Sequence, residues 1–153
     1  MTPDPRDLEF MRSALAEAEC AFARGEVPIG AVAVESGCII ARSFNTVETD
    51  HSVSSHAEFN VIAEVEKLRS DWRMTGVTLY VTKEPCPMCA GMLVNCRVSR
   101  IVFGVPDPAF GGCGGAVNIP ALPQALWHPQ VLGGVAADAA AQLLKDFFRQ
   151  KRK

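Results

Sequence analysis

Two short stretches constrain this chain more than anything else in it: Ser55-His56-Ala57-Glu58 and Pro85-Cys86-Pro87-Met88-Cys89. Together they offer an imidazole, a carboxylate and two thiols, which make chemical sense as a set only if the fold brings them to one place. The C-x-x-C spacing lets both sulfurs close around a single metal ion. One His with two Cys is a three-ligand set suited to zinc. A structural zinc site fills the fourth tetrahedral position with another Cys or His, yet no second C-x-x-C and no H-x-x-x-H occurs. The remaining position is left for water, the mark of a catalytic centre.

Glu58 gives that centre a direction. Zinc lowers the pKa of a bound water to about 7, so a nucleophile becomes available at neutral pH. A carboxylate two residues from a ligand can accept the water's proton and pass it to a leaving nitrogen.

The rest of the chain has to supply a scaffold for these groups. At 153 residues it is read as one domain, residues 1–153, long enough to bury roughly 68–70% of its unfolded surface. Its 48% apolar and 21% charged residues describe an ordinary globule. Met1-Thr2-Pro3-Asp4-Pro5 has neither the basic nor the apolar part of a signal peptide, and no apolar run approaches the ~18 residues of a membrane span. A cytoplasmic protein without a membrane anchor is the expectation. Its six cysteines then read as two ligands and four free thiols, Cys20, Cys38, Cys96 and Cys113.

Periodicity places the site on helices and strands. Leu8, Met11, Leu15, Ala18 and Phe22 line one face of a helix over Arg6–Arg24, with Gly25 where it should stop. Ile29–Glu35 and Cys38–Asn45 flank Ser36-Gly37 as a β-hairpin. The polar run Thr46–Ser54 reads as a loop leading to His56, after which Val61, Ile62, Val65 and Leu68 mark a second helix. Val77–Thr82 and Arg100–Val105 read as buried strands, with a helix from about Cys86 to Asn95 between them. The glycine-rich segment Asp107–Pro123 reads as loop, Val131-Leu132 as a short strand, and Ala136–Gln150 as a closing helix. In that helix Ala140, Leu143, Leu144, Phe147 and Phe148 are expected to face inward. The alternation predicts an α/β fold, one sheet covered by helices, with both site stretches at helix amino ends where N–H groups favour thiolate.

Plainer readings compete. Ser55-x-x-Glu58 has the form of a capping box, and Cys86/Cys89 alone has the form of a thioredoxin-like redox pair. Neither accounts for His56 and Glu58 together with the two thiols. His51 and His128 read as surface histidines, and Met88 and Met92 as core.

His56, Glu58, Cys86 and Cys89 match position for position the established signature of zinc deaminases, H-x-E…P-C-x-x-C. The likeness widens along the chain. Gly25-Glu26-Val27-Pro28-Ile29-Gly30-Ala31-Val32, Leu79-Tyr80-Val81-Thr82, Glu84-Pro85-Cys86-Pro87-Met88-Cys89-Ala90-Gly91 and Phe103-Gly104-Val105-Pro106-Asp107 resemble the bacterial tRNA-specific adenosine deaminases. Asp146-Phe147-Phe148-Arg149 is similar to that family's last helix. The resemblance implies the three-layer α/β/α cytidine deaminase-like fold, a five-stranded mixed sheet between helices, with one zinc per subunit and a homodimer. It makes His56, Cys86 and Cys89 the metal ligands and Glu58 the proton shuttle. Asn45 corresponds to an asparagine that hydrogen-bonds the bound base, and Asp107 to an acid near the ribose. The implied reaction replaces the amino group at C6 of adenine, leaving inosine at the wobble position of a tRNA anticodon loop, with the base splayed out of its stack.

Two other functions use the same residues. One is a deaminase of a free base or nucleoside such as guanine or cytosine; the other is a non-catalytic subunit that binds zinc or RNA. The net charge of −2 is low for an RNA binder, but Lys145, Arg149, Lys151, Arg152 and Lys153 concentrate five of the fifteen basic residues at one end.

Overall fold

The structure, a computed structural model, describes residues 3–152; Lys153 of the basic end and Met1 and Thr2 lie outside the described residues. The chain begins with helix α1, Asp7–Ala23, followed by strands β1, Gly30–Glu35, and β2, Cys38–Phe44. These strands form the expected hairpin. Ser36 and Gly37 take φ of 51° and 76°, the left-handed pair that a two-residue turn needs to match the strands' twist. A one-turn helix α2, Val47–Asp50, interrupts what the sequence presents as plain loop, and α3 follows at Ala57–Arg69. Then come β3, Val77–Lys83, α4, Pro87–Asn95, and β4, Arg100–Val105. The long glycine-rich connection contains a 3-10 turn at Ile119–Ala121 and an isolated bridge between Cys113 and Asn118. Strand β5, Gln130–Leu132, and helix α5, Ala137–Lys151, close the chain.

The five strands lie in the order β2-β1-β3-β4-β5. β1 runs antiparallel to both neighbours, while β3, β4 and β5 are parallel, so the sheet is mixed. Alternate side chains face opposite layers. Ala31, Ala33, Leu79, Val81, Ile101 and Phe103 pack with Val61, Ile62 and Val65 of α3 and Ala90 and Leu93 of α4. On the other face Val32, Val34, Tyr80 and Val102 meet Phe10, Met11 and Ala14 of α1. Helix α5 joins that layer, where Phe147 stacks edge-on against Phe22 at 5.7 Å between centroids. Each layer buries one stripe per helix, which supplies most of the stabilisation.

The buried stripe of α1 differs from the periodic leucines. Phe10, Met11, Ala14, Ala18 and Ala21 are buried, whereas Leu8 is 42% exposed. Small residues win because α1 lies very close to the sheet: a Cβ on Gly30 would stand 2.2 Å from the Ala14 carbonyl oxygen. Leucines at this contact would hold the helix off. Leu68 and Phe148 likewise turn to solvent, as does Met88, while Met92 packs against the core. Of the thiols outside the site, Cys20 and Cys38 are exposed and Cys96 and Cys113 buried, all of them free.

Asp7 ties the first turn of α1 to the middle of the sheet. Its Oδ1 accepts from the Tyr80 hydroxyl at 2.7 Å and from Arg100 at 2.8 Å, and its Oδ2 accepts from Arg100 at 2.9 Å. Burial works to raise this carboxyl's pKa, but the hydrogen bonds from Arg100 and Tyr80 outweigh it and hold Asp7 below its usual value. With the folded value below the unfolded one of about 3.9, the pair's contribution is complete above that pH. It is lost as acid takes the solution down through the folded-state value. Asp7→Asn leaves Arg100 without its counter-charge and should cost about 3 kcal/mol, or roughly 6–12 °C in Tm for a chain of this length. Melts at pH 7 and pH 3 check this: the gap between variant and wild type should be wide at the first and narrower at the second.

Candidate metal centre and active-site pocket

Both site stretches open helices on the same layer. His56 is the N-cap of α3 with extended backbone, φ −70° and ψ 155°, and Cys86 is the N-cap of α4 with φ −68° and ψ 169°. Pro87 at the first helical position of α4 needs no N–H partner and pre-sets the turn that carries Cys86 and Cys89. The capping-box reading fails here. Ser55 precedes the cap instead of forming it, and no side-chain cap hydrogen bond is made at the start of α3.

The structure brings the imidazole and the two thiols together. His56 Nδ1 lies 3.3 Å from Cys89 Sγ and 3.8 Å from Cys86 Sγ, and all three donor atoms fall within 4.8 Å of one another. Tetrahedral bonds of about 2.3 Å to sulfur and 2.0 Å to nitrogen put a nitrogen and a sulfur about 3.5 Å apart. The donor set therefore fits zinc in both chemistry and spacing. Of the three donors, Cys86 is the one already held as a thiolate. The Cys89 thiol donating to it holds Cys86 down at about 4, against the pull of burial and with further help from His56. Cys86 in turn raises Cys89 strongly, with burial second, and a hydrogen bond to Cys86 raises His56. One proton is thus held among donors that a divalent ion would take over.

Glu58, one residue into α3 and 4% exposed, sits beside this group, its carboxyl pushed up to about 7 chiefly by burial. That value places it midway between donor and acceptor at neutral pH, as a proton carrier requires. A pocket of about 320 Å³ opens onto His56, Glu58 and Cys86 and is also lined by Asn45, Asp107 and Phe110. Asn45 is 7% exposed, and its Nδ2 donates to the Val27 carbonyl at 3.3 Å. Asp107 pairs with Lys83 at 3.3 Å and accepts from the Ala109 and Phe110 amides at 3.0 and 3.1 Å. Hydrogen bonds from Phe110 and the charge on Lys83 keep its pKa low despite the opposing effect of burial. All six residues singled out in the sequence are in one place.

Three residues that build the pocket escape a reading by motif. Glu26, 1% exposed, accepts from the Glu48 amide at 3.1 Å and from the Thr49 amide and hydroxyl at 2.7 and 2.6 Å, so it holds α2 against the pocket. Glu84, 4% exposed, accepts from the amides of Asp107, Cys113 and Gly115 at 2.9, 3.0 and 2.9 Å. Asn60 donates to the Phe44 carbonyl and the Thr46 hydroxyl, both at 2.9 Å, tying the loop before His56 to α3. Nothing local marks the two carboxylates as buried, since Glu26 follows Arg24-Gly25 and Glu84 follows Thr82-Lys83, the usual surroundings of a surface acid.

Residues 6–152 match the model of the MafB19-like deaminases. The chain is 46% identical over 149 residues to the tRNA-specific adenosine deaminase of Bacillus subtilis, spanning 97% of this chain and 92% of that protein. It is 41% identical to the tRNA-specific adenosine deaminase of Agrobacterium fabrum, with 94% of each covered. A solved structure from studies of A-to-I editing by tRNA:A34 deaminases at the wobble position of transfer RNA superposes with TM-score 0.86 at 39% identity. That match covers 88% of this chain and 98% of the other. The guanine deaminase of Bacillus subtilis is similar more distantly, at 29% identity and TM-score 0.62 over 67% of this chain and 69% of that one. The architecture is the cytidine deaminase-like α/β/α fold with its five-stranded mixed sheet. The chain belongs to the MafB19-like deaminase family and to the bacterial tRNA-specific adenosine deaminases.

Proposed function

We propose that this chain hydrolyses adenosine to inosine at the wobble position of tRNA, as a cytoplasmic zinc enzyme and a homodimer. The observation that carries the reading is Glu58 buried beside the His56/Cys86/Cys89 group at the pocket's inner end. It is supported by 46% identity across almost the whole chain to a protein named for that reaction. Zinc, when bound by His56, Cys86 and Cys89, supplies the Lewis acid that makes water nucleophilic at neutral pH. Glu58 takes one proton from that water and delivers it to the departing amino nitrogen, so that water adds at C6 and ammonia leaves. Asn45, fixed by Val27, hydrogen-bonds the edge of the base, and Asp107, fixed by Lys83 and two amides, receives the ribose.

The base enters this pocket only after leaving its stack, which an anticodon loop permits at low cost. Phosphates stay outside the pocket, and Lys145, Arg149, Lys151 and Arg152, exposed on α5 and its end, are available to meet them. Among the described residues no helix is long and apolar enough to cross a membrane. The test is a substrate panel for the zinc-loaded protein: an anticodon stem-loop with adenosine at the wobble position, guanine, cytosine and cytidine. Inosine should form in the stem-loop and the small bases should stay intact. Turnover of guanine without turnover of the stem-loop would reject the assignment.

A further inference from the structure

We propose that Glu84 is a positioning residue that clamps the substrate-facing segment 107–115 to the metal-binding turn, and so sets how firmly a nucleotide within RNA is gripped. The proposal rests on the adenosine-in-tRNA reading for its substrate but not for its geometry.

Glu84 lies between the end of β3 and the Pro85-Cys86 turn, two residues ahead of a proposed ligand. Its two carboxylate oxygens are spent entirely on a different part of the chain. Oε1 accepts from the Asp107 amide, and Oε2 accepts from those of Cys113 and Gly115, residues 23 to 31 positions away. Three N–H groups converging on one buried carboxylate fix both ends of the segment, because charge-assisted bonds in a site closed to water are strong. A parallel contact comes from the backbone, where the Gly112 amide donates to the Pro85 carbonyl at 2.7 Å.

The segment's glycines are what allow this approach. A Cβ on Gly111 would stand 2.0 Å from Glu84 Oε2, and one on Gly115 would stand 2.8 Å from Oε1 and 2.1 Å from the Asp107 carbonyl oxygen. A Cβ on Gly112 would stand 2.8 Å from the Cys86 backbone. The cluster that looks like a flexible tether in the sequence is therefore closely seated on the metal-binding turn. Asp107 and Phe110, which line the pocket, are carried by this seated segment, and Phe110 is 63% exposed. An aromatic ring held on a pocket rim is a platform for a base flanking the one being processed. Glu84 touches neither reacting atoms nor metal ligands through a hydrogen bond; it acts through the segment it holds.

Glu84→Gln tests the role, because an amide keeps the shape but sets an NH2 group against at least one of the three N–H donors. Three measurements are read together: zinc per chain, kcat and KM on the anticodon stem-loop, and amide hydrogen exchange at Asp107, Cys113 and Gly115. The expected result is wild-type zinc, kcat within about threefold, KM raised about tenfold or more, and lost protection at those amides. Asp7→Asn is the control for general destabilisation, since it weakens the fold at α1 and should leave KM unchanged. If Glu84→Gln does not fold, Glu84→Asp keeps the charge but draws the oxygens back by one methylene from the Asp107, Cys113 and Gly115 amides and should give the same pattern. A wild-type KM in the folded variant, a loss of zinc, or unchanged protection at the three amides would each overturn the proposal. If wild-type protein itself leaves the stem-loop intact, the substrate reading fails, and the exchange result still decides whether Glu84 is the clamp.

Discussion

Glu58→Gln yields a protein that folds and binds metal yet turns over at least about 10²-fold and up to 10⁴-fold more slowly, the range that a positioned proton carrier contributes. The amide occupies the same volume in the same buried place, so packing around α3 is undisturbed. What is lost is the one side chain beside the ligand group that can both accept and release a proton, which an amide cannot do. KM should change little, since Asn45 and Asp107 remain in place, and zinc per chain should stay at the wild-type level. Steady-state rates with metal analysis on the same sample check this. A variant retaining more than a tenth of the rate would mean that another group moves the proton.

Cys86→Ser has the opposite signature: the metal goes first and activity goes with it. A hydroxyl at this position does not ionise near neutral pH, so the set loses one of its two thiolates and keeps only His56 and Cys89 as strong donors. Zinc should drop from about one per chain to below roughly 0.1 after dialysis against a competing chelator, because losing even a supporting contact costs 10–100-fold in affinity. A zinc ion held by His56, Cys86 and Cys89 would tie together the starts of α3 and α4, so thermal stability should fall in parallel. Wild type stripped by chelator should match the variant's Tm, and readdition of zinc should rescue the wild type alone. Full zinc occupancy in Cys86→Ser would remove Cys86 from the ligand set.

The two treatments separate because the four groups enter the site from only two helix starts. That economy also explains why the centre is so legible in the sequence. His56, Glu58, Cys86 and Cys89 lie in compact motifs whose spacing follows from a helix's first turn, and α3 and α4 begin where those motifs require. The strands are legible too, since Val77–Thr82 and Arg100–Val105 are rich in β-branched and aromatic residues and are stopped by Glu84-Pro85 and Pro106. Less legible was anything set by close approach between distant segments. Leu8, Leu68 and Phe148 satisfy helical periodicity but lie outside the buried faces of their helices, and for Leu8 the face is set by the close contact between the alanines of α1 and Gly30. The pocket's walls were hidden for the same reason. Glu26 and Glu84 find partners 22 to 31 residues away, and a sequence shows only that a buried acid must be paired, not with what. The short helix α2 depends on Glu26 for its exposed amides, so no local pattern announces it.

The attachment of Asp7 to Tyr80 and Arg100 reaches across 73 and 93 residues of chain. On the ribosome the first helix can settle on β1 almost as soon as both emerge, because Phe10 and Met11 pack with Val32 and Val34. Its ionic tie comes much later: at 5–20 residues per second Asp7 waits roughly 5–20 s for Arg100 to be made. A nascent chain paused before that point holds the helix by apolar contacts alone, with the carboxylate still unpaired.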